Sequence, residues 1–163
     1  MRLFTLAFSA LLIAAAAHAR EYAVTQECVL AMSDLALETA GPFVHARLAG
    51  GTDEHTAPGE PQLPVLHRRL VLPLGMEVAS VECAVAERRY AENVRLLPAQ
   101  APVRLGEPGT FTPPSPSTYA RVAPVPDARA EIVRVGSMAG YTVAELVMRP
   151  VSYIPATSVI NLA

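Results

Sequence analysis

The stretch Ile132-Val133-Arg134-Val135-Gly136-Ser137-Met138-Ala139-Gly140-Tyr141-Thr142-Val143-Ala144-Glu145-Leu146-Val147-Met148 sets the fold class. Two strand-like limbs meet at Ala139-Gly140. On the second limb Thr142, Ala144, Leu146 and Met148 fall on one face, and Tyr141, Val143, Glu145 and Val147 on the other. A period of two across a Gly-containing turn predicts a β-hairpin. Pro150 ends it, because proline cannot donate to a sheet ladder.

The same pattern recurs outward from this hairpin. Leu35 to Thr39 alternates, Gly41-Pro42 is a turn signal, and Phe43 to Leu48 alternates again, which predicts a second hairpin. Gly50-Gly51-Thr52-Asp53 opens a polar loop. Val65 to Leu72 reads as a strand with Leu66, Arg68, Leu70 and Leu72 on one face; Arg68 on that face suggests an edge. Met76 to Glu87 is the longest alternating piece, with Ala79, Val81, Cys83 and Val85 in step. Val78, Val81 and Val85 also fit a helix, but valine favours strand. Ala86 to Asn93 is expected to form a helical turn. Val151 to Tyr153 and Ser158 to Leu162 read as short final strands. The sum is an all-β chain, an antiparallel β-sandwich of short strands.

All 15 prolines lie after residue 19, and six of them fall between Glu107 and Pro126. That segment reads as a long, partly polyproline-like loop. Met1-Arg2 followed by the apolar Leu3 to Ala17 and by Ala17-His18-Ala19 reads as a signal peptide over 1–19, cut before Arg20. An uncut anchor is the alternative reading, but the apolar core is short for a span. Residues 20–163 are then one domain, exported to a periplasmic or extracellular space. The strand-like Val159-Ile160-Asn161-Leu162 at the end suggests an element continuing beyond Ala163.

Composition narrows the function. The net charge is −2, and all 13 basic residues are Arg. A chain without a basic cluster does not suit nucleic acid, and no apolar run after the leader reaches membrane-spanning length. There is no metal-ligand spacing, no Gly-rich phosphate loop and no standout carboxylate pair. No cofactor is implied. Cys28 and Cys83 leave two readings open: a disulfide in an oxidising compartment, or two small core residues. Neither has the setting of a nucleophile beside His45, His55 or His67.

One ordered set of motifs remains. Gly59-Glu60-Pro61-Gln62-Leu63-Pro64-Val65 enters the strand that ends Val71-Leu72-Pro73-Leu74-Gly75. Then come Leu97-Pro98-Ala99-Gln100-Ala101-Pro102, Gly140-Tyr141-Thr142-Val143 and Arg149-Pro150-Val151-Ser152-Tyr153-Ile154-Pro155. This order resembles the N-terminal propeptide of gingipain-type, caspase-like cysteine peptidases, over about residues 35 to 163. The shared pattern is a G-x-P-x-L-P entry, a strand ending L-P-x-G, a P-A-Q-x-P segment and a P-V-x-Y-x-P near the end. Read physically, Gly59, Pro61, Leu63, Pro64, Pro98, Gln100, Pro102, Pro150, Tyr153 and Pro155 are residues that build the fold.

The resemblance implies a non-catalytic β-sandwich made in front of a caspase-like catalytic domain. Such a module assists folding of that domain, covers its cleft and is removed by proteolysis; the Cys–His pair belongs to the domain that follows. It also implies an Arg-bearing loop as the blocker, since a guanidinium can pair bidentately with an acidic specificity pocket. The candidates are Arg121, placed first for its position between proline clusters, then Arg104 and Arg129. The partner is the catalytic domain, in cis or in trans. The competing readings are a free-standing secreted protease inhibitor and a structural or adhesive β-sandwich.

Overall fold

The computed structural model describes residues 28–72 and 78–163. The signal peptide and its cleavage site lie outside the described residues, as do Pro73, Leu74 and Gly75. No helix among the described residues is long and apolar enough to cross a membrane.

The chain is all-β. Strands β1 (Leu35–Ala40) and β2 (Phe43–Leu48) form a two-stranded ribbon. β3 (Thr52–Asp53), β4 (Pro64–Leu72), β6 (Ala130–Met138) and β7 (Tyr141–Met148) form a four-stranded sheet in the order β3-β4-β7-β6. β5 (Arg88–Ala91), β8 (Val151–Ile154) and β9 (Val159–Leu162) form the third, in the order β5-β9-β8. Every named strand pair is antiparallel. One helical turn, α1 (Pro116–Tyr119), interrupts the proline-rich loop, with Pro116 at its first position where a missing N–H costs nothing.

Both expected hairpins form. In the first, Ala40 faces Phe43 across Gly41-Pro42, and Gly41 takes φ +61°. In the second, Met138 faces Tyr141 across Ala139 and Gly140, both at positive φ, as a primed two-residue turn requires. β4 pairs with β7 from Leu66 to Leu72, but β3 flanks it only at Pro64 and Val65. Beyond Val65 its other side has no strand among the described residues, which agrees with the exposed Arg68.

One core ties the sheets together. Leu35, Ala46 and Leu48 of the ribbon, Leu66 of β4, and Val151, Tyr153, Ile160 and Leu162 of the third sheet are all buried in a single cluster with Leu63, Val94, Leu96 and Val125. These side chains come from residues 35 to 162, so the core closes only when the whole module is in place.

Thr52 and Asp53 form β3 against Val65 and Pro64 where a polar loop was expected, and two further secondary-structure expectations fail. Residues 78–87 form no strand, and residues 76 and 77 lie outside the described residues. Val81 and Val85 are 38% and 42% exposed. Alternation says which side chains would share a face; it does not supply a partner edge. The segment instead runs past β6, where Val78 to Val81 and Glu131, Ile132 and Val135 line a shallow groove. Second, the expected helical turn over Ala86 to Asn93 is strand β5, because β9 offers Arg88 and Arg89 an edge at Leu162 and Asn161. Tertiary pairing overrides the local preference.

The cysteines fit neither sequence reading. Cys28 and Cys83 are free, and both are exposed.

Candidate functional site

The motif residues converge on one platform. The segment from Val94 to Ala99 lies between β2 and the chain at Gly59 to Gln62. Val44 N donates to the Arg95 carbonyl and Leu97 N to the Val44 carbonyl. On the other side Gln62 N donates to the Leu97 carbonyl at 2.8 Å, and Ala99 N to the Glu60 carbonyl at 2.7 Å. Pro61 and Pro98 face each other across an isolated bridge. Leu63, Pro64 and Pro98 are buried, whereas Pro102 is exposed. The prolines sit where no donor is needed, and they fix the path of the chain.

Gly59 shows why its position takes no side chain. Its φ is +90°, and a Cβ there would meet the Pro113 carbonyl oxygen at 3.0 Å and Ser115 N at 3.3 Å. Its own N–H donates to the Ala99 carbonyl and its carbonyl accepts from Ser115 N, both at 2.8 Å. The close approach joins the Gly59 turn to the proline-rich loop.

The base of that loop is clamped. Thr112 N donates to Gln100 Oε1 at 2.9 Å, and Gln100 Nε2 donates to the carbonyls of Pro98 (2.7 Å) and Thr112 (3.3 Å). Ala101 N donates to Thr112 Oγ1 at 3.2 Å. Next to the clamp, Phe111 stacks on Phe43 of β2 with ring centroids 5.8 Å apart, and the Arg95 guanidinium lies 5.2 Å from the Phe43 ring centre.

Above the clamp, residues 101–111 are all exposed and belong to no strand. A side chain at Gly109 would touch Val103 Cγ2 at 3.3 Å, so the two limbs run close together. At the far end Glu107 N donates to the Arg104 carbonyl at 3.0 Å, and Gly106 takes φ +88°. That is a type II turn with glycine at the corner that demands positive φ. Leu105, the other corner residue, is wholly exposed. Arg104 is exposed and forms no ion pair among the described residues.

The other two arginines are held differently. Arg121 Nη2 pairs with Asp127 Oδ1 at 2.7 Å, and its carbonyl accepts from Ala156 N at 3.0 Å. Arg129 is not presented at all. It pairs with Glu87, donates to the Arg149 carbonyl at 3.2 Å, and burial lowers its pKa. Around it, Ser152 Oγ donates to Glu87 at 3.1 Å, and Arg149 binds Glu54 at 2.6 Å and Glu131 at 3.0 Å. This network stitches the four-stranded sheet to the third sheet.

The final motif is internal. Tyr153 is buried, and its hydroxyl donates to the Val94 carbonyl at 3.0 Å. Tyr119 of α1 lies edge-on to it at 6.4 Å and donates to the Leu96 carbonyl at 2.8 Å. Burial pushes both phenols above the ordinary tyrosine value. Pro150 and Pro155 are buried beside them. Among the described residues, no group of His, Cys, Asp and Glu could hold a metal ion.

The structure thus gathers Gly59, Pro61, Pro98 and Gln100 beneath one loop and sets Arg104 at its tip. The sequence reading favoured Arg121 because prolines flank it. The sequence signal near Arg104 is Gly106, a residue type that supplies the positive φ a turn needs.

A family model described as Propeptide_C25 matches residues 41–163. The chain belongs to the propeptide family of the C25 cysteine peptidases. As a propeptide it is a non-catalytic module. Two solved structures share its fold. One, described as structural insight into the zymogenic latency of gingipain K from Porphyromonas gingivalis, is 21% identical with a TM-score of 0.62 over 78% of this chain and 73% of that one. The other, a complex of the Porphyromonas gingivalis RgpB pro- and mature domains, is 17% identical with a TM-score of 0.57 over 78% of this chain and 68% of that one. At such identities the likeness concerns the fold. A search of curated proteins gave no match.

Proposed function

We propose that this propeptide assists the folding of a gingipain-like cysteine peptidase domain and silences it, in cis or in trans, by placing loop 101–111 in its cleft. Arg104 is the side chain that fills an acidic specificity pocket. The observation that carries this reading is the exposed Arg104 beside a type II turn, on a loop whose base is clamped by Gln100 and Thr112. A pre-ordered loop loses little entropy on binding. The related solved structures concern zymogenic latency in gingipain K and a pro–mature complex in RgpB, which supports a peptidase partner here. The leader over 1–19 would deliver the module to a periplasmic or extracellular space, where such peptidases act.

The test is inhibition of the mature RgpB domain by the purified chain. Arg104→Ala should weaken inhibition by at least about 30-fold, the effect of losing one interface anchor, with the thermal midpoint unchanged. Arg121→Ala should inhibit like the parent chain. Equal inhibition by parent and Arg104→Ala would remove Arg104 from the site. No inhibition by the parent chain would move the weight to a structural or adhesive role.

A further inference from the structure

We infer that the outer end of the β4–β7–β6 sheet is a lipid-contacting tongue, which sets an apolar tip and a collar of arginines onto an anionic membrane surface. β4 runs from Pro64, next to the proline platform, to Leu72, roughly 26 Å of strand away. The tongue thus stands at the opposite end of β4 from the platform that carries loop 101–111, and nothing in this contact depends on the function proposed above.

The tongue is made of residues 70–72 of β4 and 135–143 of β6, β7 and their turn. None of these side chains belongs to the core cluster. The register puts Val135 beside Ala144 and Leu70, on the face that carries Leu66 into the core. Val71 lies beside Val143 on the other face, and Tyr141 and Met138 stand opposite each other on that face, two residues further out. Val71, Val135, Met138 and Tyr141 are 63%, 52%, 61% and 57% exposed. Residues 70–72 and 135–143 contain no charge. A protein partner packs against one face of a sheet. Apolar side chains exposed on both faces and at the turn suit a medium that surrounds the tip.

Charge begins directly behind the tip. Arg69, Glu145 and Arg134 form one row across the three strands, and Arg68 lies next to Arg69 on the opposite face. Glu145 is shared with His67 at 3.5 Å, and the other acid on these strands, Glu131, is tied to Arg149 at 3.0 Å. Arg69 and Arg134 form no ion pair among the described residues, and Arg68 donates one N–H to the His67 carbonyl. Three guanidinium groups around one carboxylate leave a positive collar. Guanidinium pairs bidentately with phosphate, and the negative potential of an anionic leaflet draws it in.

The dimensions fit a shallow contact. Met138 is four residues past Arg134, about 13 Å of strand. The headgroup layer on each side of the hydrocarbon is about 6 Å deep. With the arginines among the phosphates, Met138 and Tyr141 reach the acyl boundary, where a tyrosine ring is favoured. The tongue goes no deeper. Among the described residues, β7 alone forms backbone hydrogen bonds with residues 130–138, so the outward N–H and C=O groups of β6 need water.

The experiment is flotation of residues 20–163 with vesicles. The apolar leader is left out so that it cannot reach the lipid itself; every strand and the core lie after it. The chain should float with mixed phosphatidylglycerol–phosphatidylcholine vesicles and stay behind with phosphatidylcholine alone. Met138→Asp should abolish flotation and Tyr141→Ser should weaken vesicle affinity about tenfold, both with the thermal midpoint unchanged. Arg69→Gln and Arg134→Gln should each weaken it about fivefold. Arg121→Gln, at a paired arginine outside the tongue, should float like the parent chain. Failure to float on the mixed vesicles, equal flotation on phosphatidylcholine, or flotation that both tip variants retain would overturn the inference. Capture of the mature RgpB domain through Met138 and Tyr141 without vesicle binding would overturn it too, and would give the tongue a protein partner.

Discussion

The side chain of Gln100 grips the backbone of Thr112 at both ends, accepting from its N–H at 2.9 Å and donating to its carbonyl at 3.3 Å. One amide thereby does what a pair of strand residues would do, and it closes residues 101–111 into a loop with fixed ends. Gln100→Ala should free the loop while costing the module only about 1 kcal/mol, because these bonds are at the surface. Amide hydrogen exchange should show faster exchange at Ala101 and Thr112, with strand protection unchanged and inhibition of the peptidase weaker. Unchanged exchange at Thr112 would mean that the clamp does not hold in solution.

Arg149 stands between Glu54 and Glu131, and the side chains of Arg149 and Glu54 are only 11% and 15% exposed. Removing the cation leaves the Glu54 carboxylate half-desolvated without its partner. Arg149→Met should cost about 3–5 kcal/mol in chemical denaturation. The double variant Arg149→Met with Glu54→Gln should recover part of that loss, since no charge is then stranded. A loss below about 1 kcal/mol for the single variant would show that solvent already screens the pair.

Two phenols, the buried Tyr153 and the partly buried Tyr119, give an alkaline signature. Burial raises the folded-state pKa of both Tyr119 and Tyr153. In the unfolded chain both ionise near about pH 10. A raised folded value means that their contribution to stability is complete below that pH and is lost as the pH climbs toward the folded values. Denaturation midpoints should therefore be flat with respect to these two groups from pH 8 to about pH 10 and fall above it. Tyr119→Phe should lessen the fall by removing one titrating group, at the cost of the bond to the Leu96 carbonyl. An identical pH profile for Tyr119→Phe would show that Tyr119 does not contribute.

Cys28 and Cys83 are free and exposed. A thiol-reactive chromophore should count two thiols on the native chain without denaturant, and reduction should leave the thermal midpoint unchanged. A count of zero that rises to two on reduction would place a bond between them.

The hairpins β1–β2 and β6–β7 were legible in the sequence because each carries its whole cause locally. Gly41 and Gly140 supply the positive φ, and the flanking alternation fixes the faces. Of the motif residues, Gly59, Pro61, Pro64, Pro98, Pro150 and Pro155 are buried, whereas Pro102 is exposed. Strand β5 was not legible: Arg88-Arg89-Tyr90-Ala91 has no alternating apolar face, and it pairs because Leu162 and Asn161 of β9 come to lie beside it. The stretch at 78–87 had the pattern of a strand but no neighbour in register among the described residues. Arg129 looked like a loop arginine until Glu87, distant in sequence, closed over it.

The sequence by itself determined the all-β class, the turns, the path of the proline segments and the family, because these depend on backbone preference and on motif order along the chain. Only the tertiary structure decided which of the three arginines stands exposed without an ion pair among the described residues. Arg104, Arg121 and Arg129 are alike as residues near prolines, and their difference lies in what folds against them: Asp127 beside Arg121, Glu87 over Arg129, and no acidic partner among the described residues for Arg104. Exposure and charge pairing are properties of residues brought together from across the chain, and local pattern carries no information about them.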